Sequence, residues 1–200
     1  MITNKENICG DPDEPKEIEE WKGVKIEDGE VVEIDWDDFH LQGSLHLEWL
    51  PSSVKDLMVR WNRLTGTLDW ASLPASMQSL YLECNAFTGS ICLERLPERM
   101  LFIGVSYNHL SGSLKLESFP DTLTHFYAST NKFSGSVDLT QLPAALTQLD
   151  LSENQLSVLT LGNPTKGHLF VVGWTSTPVL GEAKNLFKPL VVFLSWRRPY

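Results

Sequence analysis

Two hundred residues, 42% of them hydrophobic, are enough for one domain with a real core. The net charge of -10 is uneven: residues 1–50 carry 15 acids against 4 bases, residues 51–162 carry 10 against 7, and residues 163–200 carry 1 against 5. An acidic body repels phosphate backbones, so nucleic acid is not expected as a partner.

Residues 1–20 are polar and acidic, with two prolines and few apolar anchors, which predicts a mobile acidic leader. No apolar run there could serve as a secretory signal. The longest apolar run of the chain, Leu190–Leu194, is far short of the roughly 20 residues of a spanning helix, so no membrane insertion is expected. Cys9, Cys84 and Cys92 show neither C-x-x-C spacing nor a disulfide framework. These features predict a cytoplasmic protein.

From Leu50 the chain repeats. Written in lines of 23 residues, LPSSVKDLMVRWNRLTGTLDWAS aligns without a gap over LPASMQSLYLECNAFTGSICLER and the three lines that follow. Proline recurs at Pro51, Pro74, Pro97, Pro120 and Pro143, and asparagine at Asn62, Asn85, Asn108, Asn131 and Asn154. A fixed period of this length predicts a solenoid. Residues 21–49 fall partly in register, with Ile34 over Leu57 and Leu41 over Leu64, and read as an N-terminal cap and first coil. Phe39 stands there at the asparagine position, as terminal coils often depart from their pattern. Trp21, just ahead, is expected to cover the open end of the core. Residues 50–161 then hold five repeats, and residues 162–200 form a C-terminal tail.

Within each line the L-x-L element alternates in strand fashion, with inward pairs such as Leu57/Val59, Leu80/Leu82 and Phe126/Ala128. A second alternation after the glycine, such as Leu68/Trp70 and Ile91/Leu93, predicts a second short strand per coil. Glycines 66, 89, 112 and 135 are expected to make the tight turn into it. The asparagines are expected to form a buried ladder between coils, each amide both donating to and accepting from backbone.

The string L-x-x-L-x-L-x-x-N-x-L at residues 54–64, 77–87, 100–110, 123–133 and 146–156 resembles the leucine-rich repeat signature. The 23-residue form looks like repeats abundant in kinetoplastids and other protists. The W-x-G-V at Trp21 with the later L-x-G-S-L is similar to the cap of plant receptor ectodomains, although Ile26 stands where those caps place a cysteine. The resemblance implies a leucine-rich repeat solenoid: a β-rich, right-handed coil stack with a parallel concave sheet and short convex strands.

After Leu159 the pattern stops, and the tail reads either as a cap, with strands in 168–174 and 189–196, or as a translated artefact. No G-x-S-x-G, Walker or H-E-x-x-H string occurs, and the five histidines lack metal-pair spacing, so neither enzyme chemistry nor a metal or cofactor is expected. The outward positions beside L-x-L carry the functional signal. There Met58, Trp61, Tyr81, Phe102, Tyr107, His125 and Tyr127 gather in the middle of the stack, with carboxylates at both ends, Asp35 and Asp37 among them. Exposed aromatics ringed by polar groups predict a protein-binding surface. The expected partner is another protein presenting basic groups. The alternative is a fragment of a larger receptor-type or enzyme-coupled protein.

Overall fold

Five times the proline opens a turn by accepting, at its carbonyl, the N–H three residues on: Val54 to Pro51, Met77 to Pro74, Met100 to Pro97, Leu123 to Pro120 and Leu146 to Pro143, at 3.0–3.1 Å. The turn ends on a buried side chain and delivers the chain into a three-residue strand. The computed structural model describes residues 1–160 except 12 and 15, together with strands Phe170–Val172 and Val192–Phe193.

The L-x-L strands stack in parallel and in register, so that each repeat position sits beside its equivalent. Glu30–Asp35, Asp56–Met58, Ser79–Tyr81, Phe102–Gly104, His125–Tyr127 and Gln148–Asp150 lie side by side, with Leu57 against Leu80, Leu80 against Ile103, and Ile103 against Phe126. An antiparallel strand, Val24–Glu27, covers one edge of this larger sheet. At the other edge Phe170–Val172 adds in parallel to Gln148–Asp150, and Val192–Phe193 adds antiparallel to that. The rest of the tail, and with it the choice between cap and artefact, lies outside the described residues.

A second, six-stranded parallel sheet forms on the other side of the coil, but in the first three repeats it lies ahead of the alternation after the glycine, and in the fourth it runs on through Val137. Its strands are Gln42–Ser44, Arg63–Gly66, Ala86–Gly89, His109–Gly112, Lys132–Asp138 and Gln155–Thr160. In the first three repeats they run up to the glycine and stop. Gly66, Gly89 and Gly112 have φ of 85–87°, a positive-φ backbone that glycine adopts freely, and Gly135 has the same φ within a strand that runs on to Asp138. The following L-x-L bends instead into 3-10 turns at Trp70–Ser72, Leu93–Arg95 and Leu116–Ser118. Trp70, Leu93 and Leu116 still point inward and are buried, so the inward column was right and its backbone wrong.

The core runs between the sheets as one continuous cluster from Ile8 to Leu156, with Phe87, Phe126 and Phe133 its largest fully buried side chains. The expected mobile leader is in fact folded onto the first coil. A short helix, Glu6–Cys9, buries Ile8 and Cys9, and Ile2, Ile18 and Trp21 pack against the core end. The turn at Phe39–Gln42 lies at the open end of the stack, with no coil before it to serve its backbone. Two asparagines of the leader serve that turn: Asn7 donates to the Phe39 carbonyl at 2.9 Å, and Asn4 donates to that of His40 and accepts from the Gln42 N–H.

Candidate functional site

The asparagine column is what fixes the larger sheet's rim. Each side-chain oxygen accepts one N–H from the preceding coil: Leu41 on Asn62, Leu64 on Asn85, Phe87 on Asn108, Leu110 on Asn131 and Phe133 on Asn154, at 2.8–3.0 Å. Each side-chain amide donates backward to the carbonyl just past the strand of the preceding coil and to carbonyls of its own. The carbonyls of Val59, Leu82, Val105 and Ala128 thereby each receive two successive asparagines. The ladder is continuous but one-directional, and Asn154 at its end makes the same kinds of bond as Asn108.

Immediately before each asparagine the chain takes a left-handed turn. Asp38, Trp61, Cys84, Tyr107, Thr130 and Glu153 all have φ between 52° and 58°. This geometry throws their side chains outward, and Trp61 and Tyr107 are 55% and 59% exposed. For bulky residues such a backbone is costly, and the stack imposes it in every coil.

Beside this rim the structure joins four of the expected site residues into one contiguous band through Phe102. Tyr81 and Phe102 stack at 4.2 Å between centroids, Phe102 meets Tyr127 edge-on at 5.5 Å, and His125 lies 5.9 Å from Phe102 and 6.1 Å from Tyr127. The Tyr127 hydroxyl donates to Gln148 Oε1. Met58 adjoins Tyr81 across the ladder, and Asp35 adjoins Met58 in turn. Trp61 joins through Arg60, whose guanidinium carbon is 4.9 Å from the Trp61 ring and 5.0 Å from that of Tyr81. Tyr107 shares the face, but makes no ring contact with the band among the described residues.

The acidic end differs from expectation at Asp37. Its carboxylate accepts the Arg60 backbone N–H at 2.6 Å and the Nε at 2.7 Å, and pairs with Nη2 at 2.5 Å. That hydrogen bond raises the Arg60 guanidinium further above its ordinary range. Asp37 is therefore no free rim anion, whereas Asp35 is exposed and accepts the Asp37 N–H at 3.1 Å.

Glu83 is the residue that sequence reasoning missed. Its carboxyl lies against the backbone of Gly104, where a Cβ would run into Oε1 and Cδ. Gly104 interrupts the outward column between Tyr81 and Tyr127, and Glu83 leans into that gap. Its Oε2 is the one buried side-chain polar atom without a hydrogen-bond partner among the described residues. Burial pushes the Glu83 carboxyl above the usual carboxylate range, against a backbone hydrogen bond and the Arg60 charge. Burial likewise raises the Tyr127 phenol, with Asp150 and Glu83 adding to it. The signal for Glu83 was a glycine in an otherwise large-residue column.

A raised folded-state value has a sign that can be tested. The proton is held more tightly in the folded chain, so this group's favourable contribution is complete below its unfolded value of about 4.3. It is lost as pH rises through the folded value, because ionisation costs more in the folded chain than in the unfolded one. Glu83→Gln is therefore expected to raise the urea midpoint at pH 7 and to leave it nearly unchanged at pH 4.

No family model matches the chain, and neither does any curated protein. Solved structures do match. The BIR2 ectodomain from Arabidopsis thaliana is similar at a TM-score of 0.60 and 21% identity, over 82% of this chain and 91% of that one. The leucine-rich repeat ectodomain of the receptor kinase SOBIR1 from Arabidopsis thaliana is similar at 0.61 and 26%, over 69% and 84%. The Arabidopsis receptor kinase HAESA, in complex with the peptide hormone IDA and the co-receptor SERK1, is similar at 0.59 and 27%, over 69% of this chain and 24% of that one. With two in-register parallel sheets and the asparagine ladder, these likenesses make the chain a leucine-rich repeat solenoid, a fold that serves as a protein-binding scaffold.

Proposed function

We propose that the larger sheet's outer face binds an extended segment of another protein, laid across Tyr81, Phe102, His125 and Tyr127. The observation that carries this reading is the continuous ring contact of these four side chains on successive strands, partly exposed above a fully buried core. Aromatic side chains in such a position supply large contact area at low entropic cost, and they dominate binding energy where they are central. The partner presents basic groups, complementing Asp35 and the acidity of residues 1–50. Met58 and Trp61 border the band on the side of Asp37, and Tyr107 lies beyond it. No cofactor or metal takes part in this reading. We also place the protein in the cytoplasm, a reading supported by three unpaired cysteines.

The test is capture of one partner by the full chain. Tyr81→Ala and Tyr127→Ala are each expected to weaken it by at least about 1–2 kcal/mol, roughly five- to thirtyfold. If both variants bind normally while Asp138→Ser does not, the partner sits on the second sheet, and the aromatic face is not the site.

A second reading makes the chain part of a larger receptor-type protein. It is favoured by the match to nearly the full length of the BIR2 and SOBIR1 ectodomains. Membrane-spanning or kinase sequence adjacent in the gene would support it, and its absence from the full transcript would count against it. Both readings use the same face.

A further inference from the structure

Three successive coils place Asp37, Arg60 and Glu83 in one row along the outer face. Arg60 pairs with Asp37 through its Nε, its Nη2 and its backbone N–H, and forms no ion pair with Glu83 among the described residues. The row thus holds two carboxylates and one guanidinium, and Glu83 is the carboxylate left over. Further along, the equivalent positions are Ser106 and Ser129, both buried and hydrogen-bonded to each other at 2.9 Å, so the row supplies no further charge. A carboxylate that is partly desolvated and unpaired is costly, and it persists where something else compensates it.

We propose that Glu83 is the anchor for one arginine side chain of the segment bound on the aromatic face. This rests on the reading of that face given above, and names the chemistry recognised at its centre. Three observations converge on a planar cation. The Glu83 carboxyl is set in the gap that Gly104 leaves between Tyr81 and Tyr127. Its Oε2, buried beside Gly104, has no hydrogen-bond partner among the described residues. The rings of Tyr81, Phe102 and Tyr127 lie on the same three strands as that gap, Tyr81 between Phe102 and Arg60 and Tyr127 edge-on to Phe102, and aromatic rings attract a cation at their faces. A guanidinium stacks on aromatic faces and sheds water more readily than an ammonium, which favours arginine over lysine. The protein already shows this mode once, where Arg60 sits over the Trp61 and Tyr81 rings while pairing with Asp37. A partner arginine at Glu83 would repeat it one coil further on.

The experiment uses the full chain, isotope-labelled, and three capped pentapeptides of sequence Gly-Ser-X-Ser-Gly, with X arginine, lysine or citrulline. The arginine peptide is expected to shift the resonances of Tyr81, Gly104 and Tyr127 and to bind about tenfold more tightly than the neutral citrulline peptide, with lysine between them. Glu83→Gln should abolish the difference between arginine and citrulline. Because that variant is expected to be more stable at neutral pH, its loss of selectivity will not reflect misfolding. Equal binding of arginine and citrulline peptides, or selectivity that survives Glu83→Gln, overturns the proposal. Failure here is separable from failure of the face itself. A natural partner captured equally by the wild type and Glu83→Gln, but lost with Tyr81→Ala, removes the anchor and keeps the face. A partner indifferent to both tyrosine variants removes the face, and the pentapeptides still decide Glu83.

Discussion

Asn108→Ala is expected to destabilise the protein by about 2–3 kcal/mol, more than the same change at Asn154. The difference does not come from the number of bonds, because both asparagines accept one N–H and donate to three carbonyls. Nor does Asn108 leave many groups stranded. The Leu82 and Val105 carbonyls keep Asn85 and Asn131, and the Ser106 carbonyl keeps the Cys84 N–H. What remains is the Phe87 N–H, in surroundings where Phe87 itself is fully buried and Asn108 is 5% exposed. Water cannot replace the lost acceptor there. Asn154 leaves the N–H of Phe133, which is itself fully buried, but the Asn154 side chain is only partly buried, so water can enter the space it vacates. Urea midpoints of the two variants measure this directly. Equal midpoints would show that burial of the ladder does not set its energy.

The repeat made the fold legible because every coil solves the same problem with the same residues. Proline, the inward pair and the asparagine recur at fixed offsets, and a parallel in-register stack is the arrangement that lets each asparagine reach the coil before it. Other features lay beyond a periodic reading. The second strand was misplaced because Leu68 and Trp70 alternate as a strand would. Periodicity reports which way a side chain points, and a 3-10 turn can point Trp70 inward as well as a strand can. The leader was missed because its composition is that of a disordered segment. Three isoleucines and two asparagines suffice to dock it, and composition averages them away. On the candidate site, the aromatic column could be read directly, since alternate residues of a strand share a face. That Arg60 bonds Asp37 directly, and acts on Glu83 only at a distance, depends on which of two neighbours a guanidinium reaches. That choice is made by side-chain geometry, and no spacing in the sequence encodes it.

Phe126→Ala and Tyr127→Ala, one residue apart on one strand, are expected to fail in opposite ways. Phe126 is fully buried, aligned with Ile103 and Leu149 on either side, and packed on Phe119 at 4.9 Å between ring centroids. Its truncation removes a large apolar surface and leaves a cavity that two rigid neighbouring strands cannot collapse into. The expected cost is about 3–5 kcal/mol. Because each coil of a solenoid contacts only its neighbours, weakening this one also uncouples the coils on either side of it. Unfolding should then lose cooperativity as well as midpoint. Tyr127 points the other way, and its ring is held only by the partly exposed rings beside it and by Gln148. Its removal should cost about 1 kcal/mol of stability, and its larger effect should be on partner capture. Urea titration and capture of the same two variants therefore test the register of the strand together with the function of its outer face. A register one residue off would exchange the two results, because it would turn every inward side chain of the strand outward.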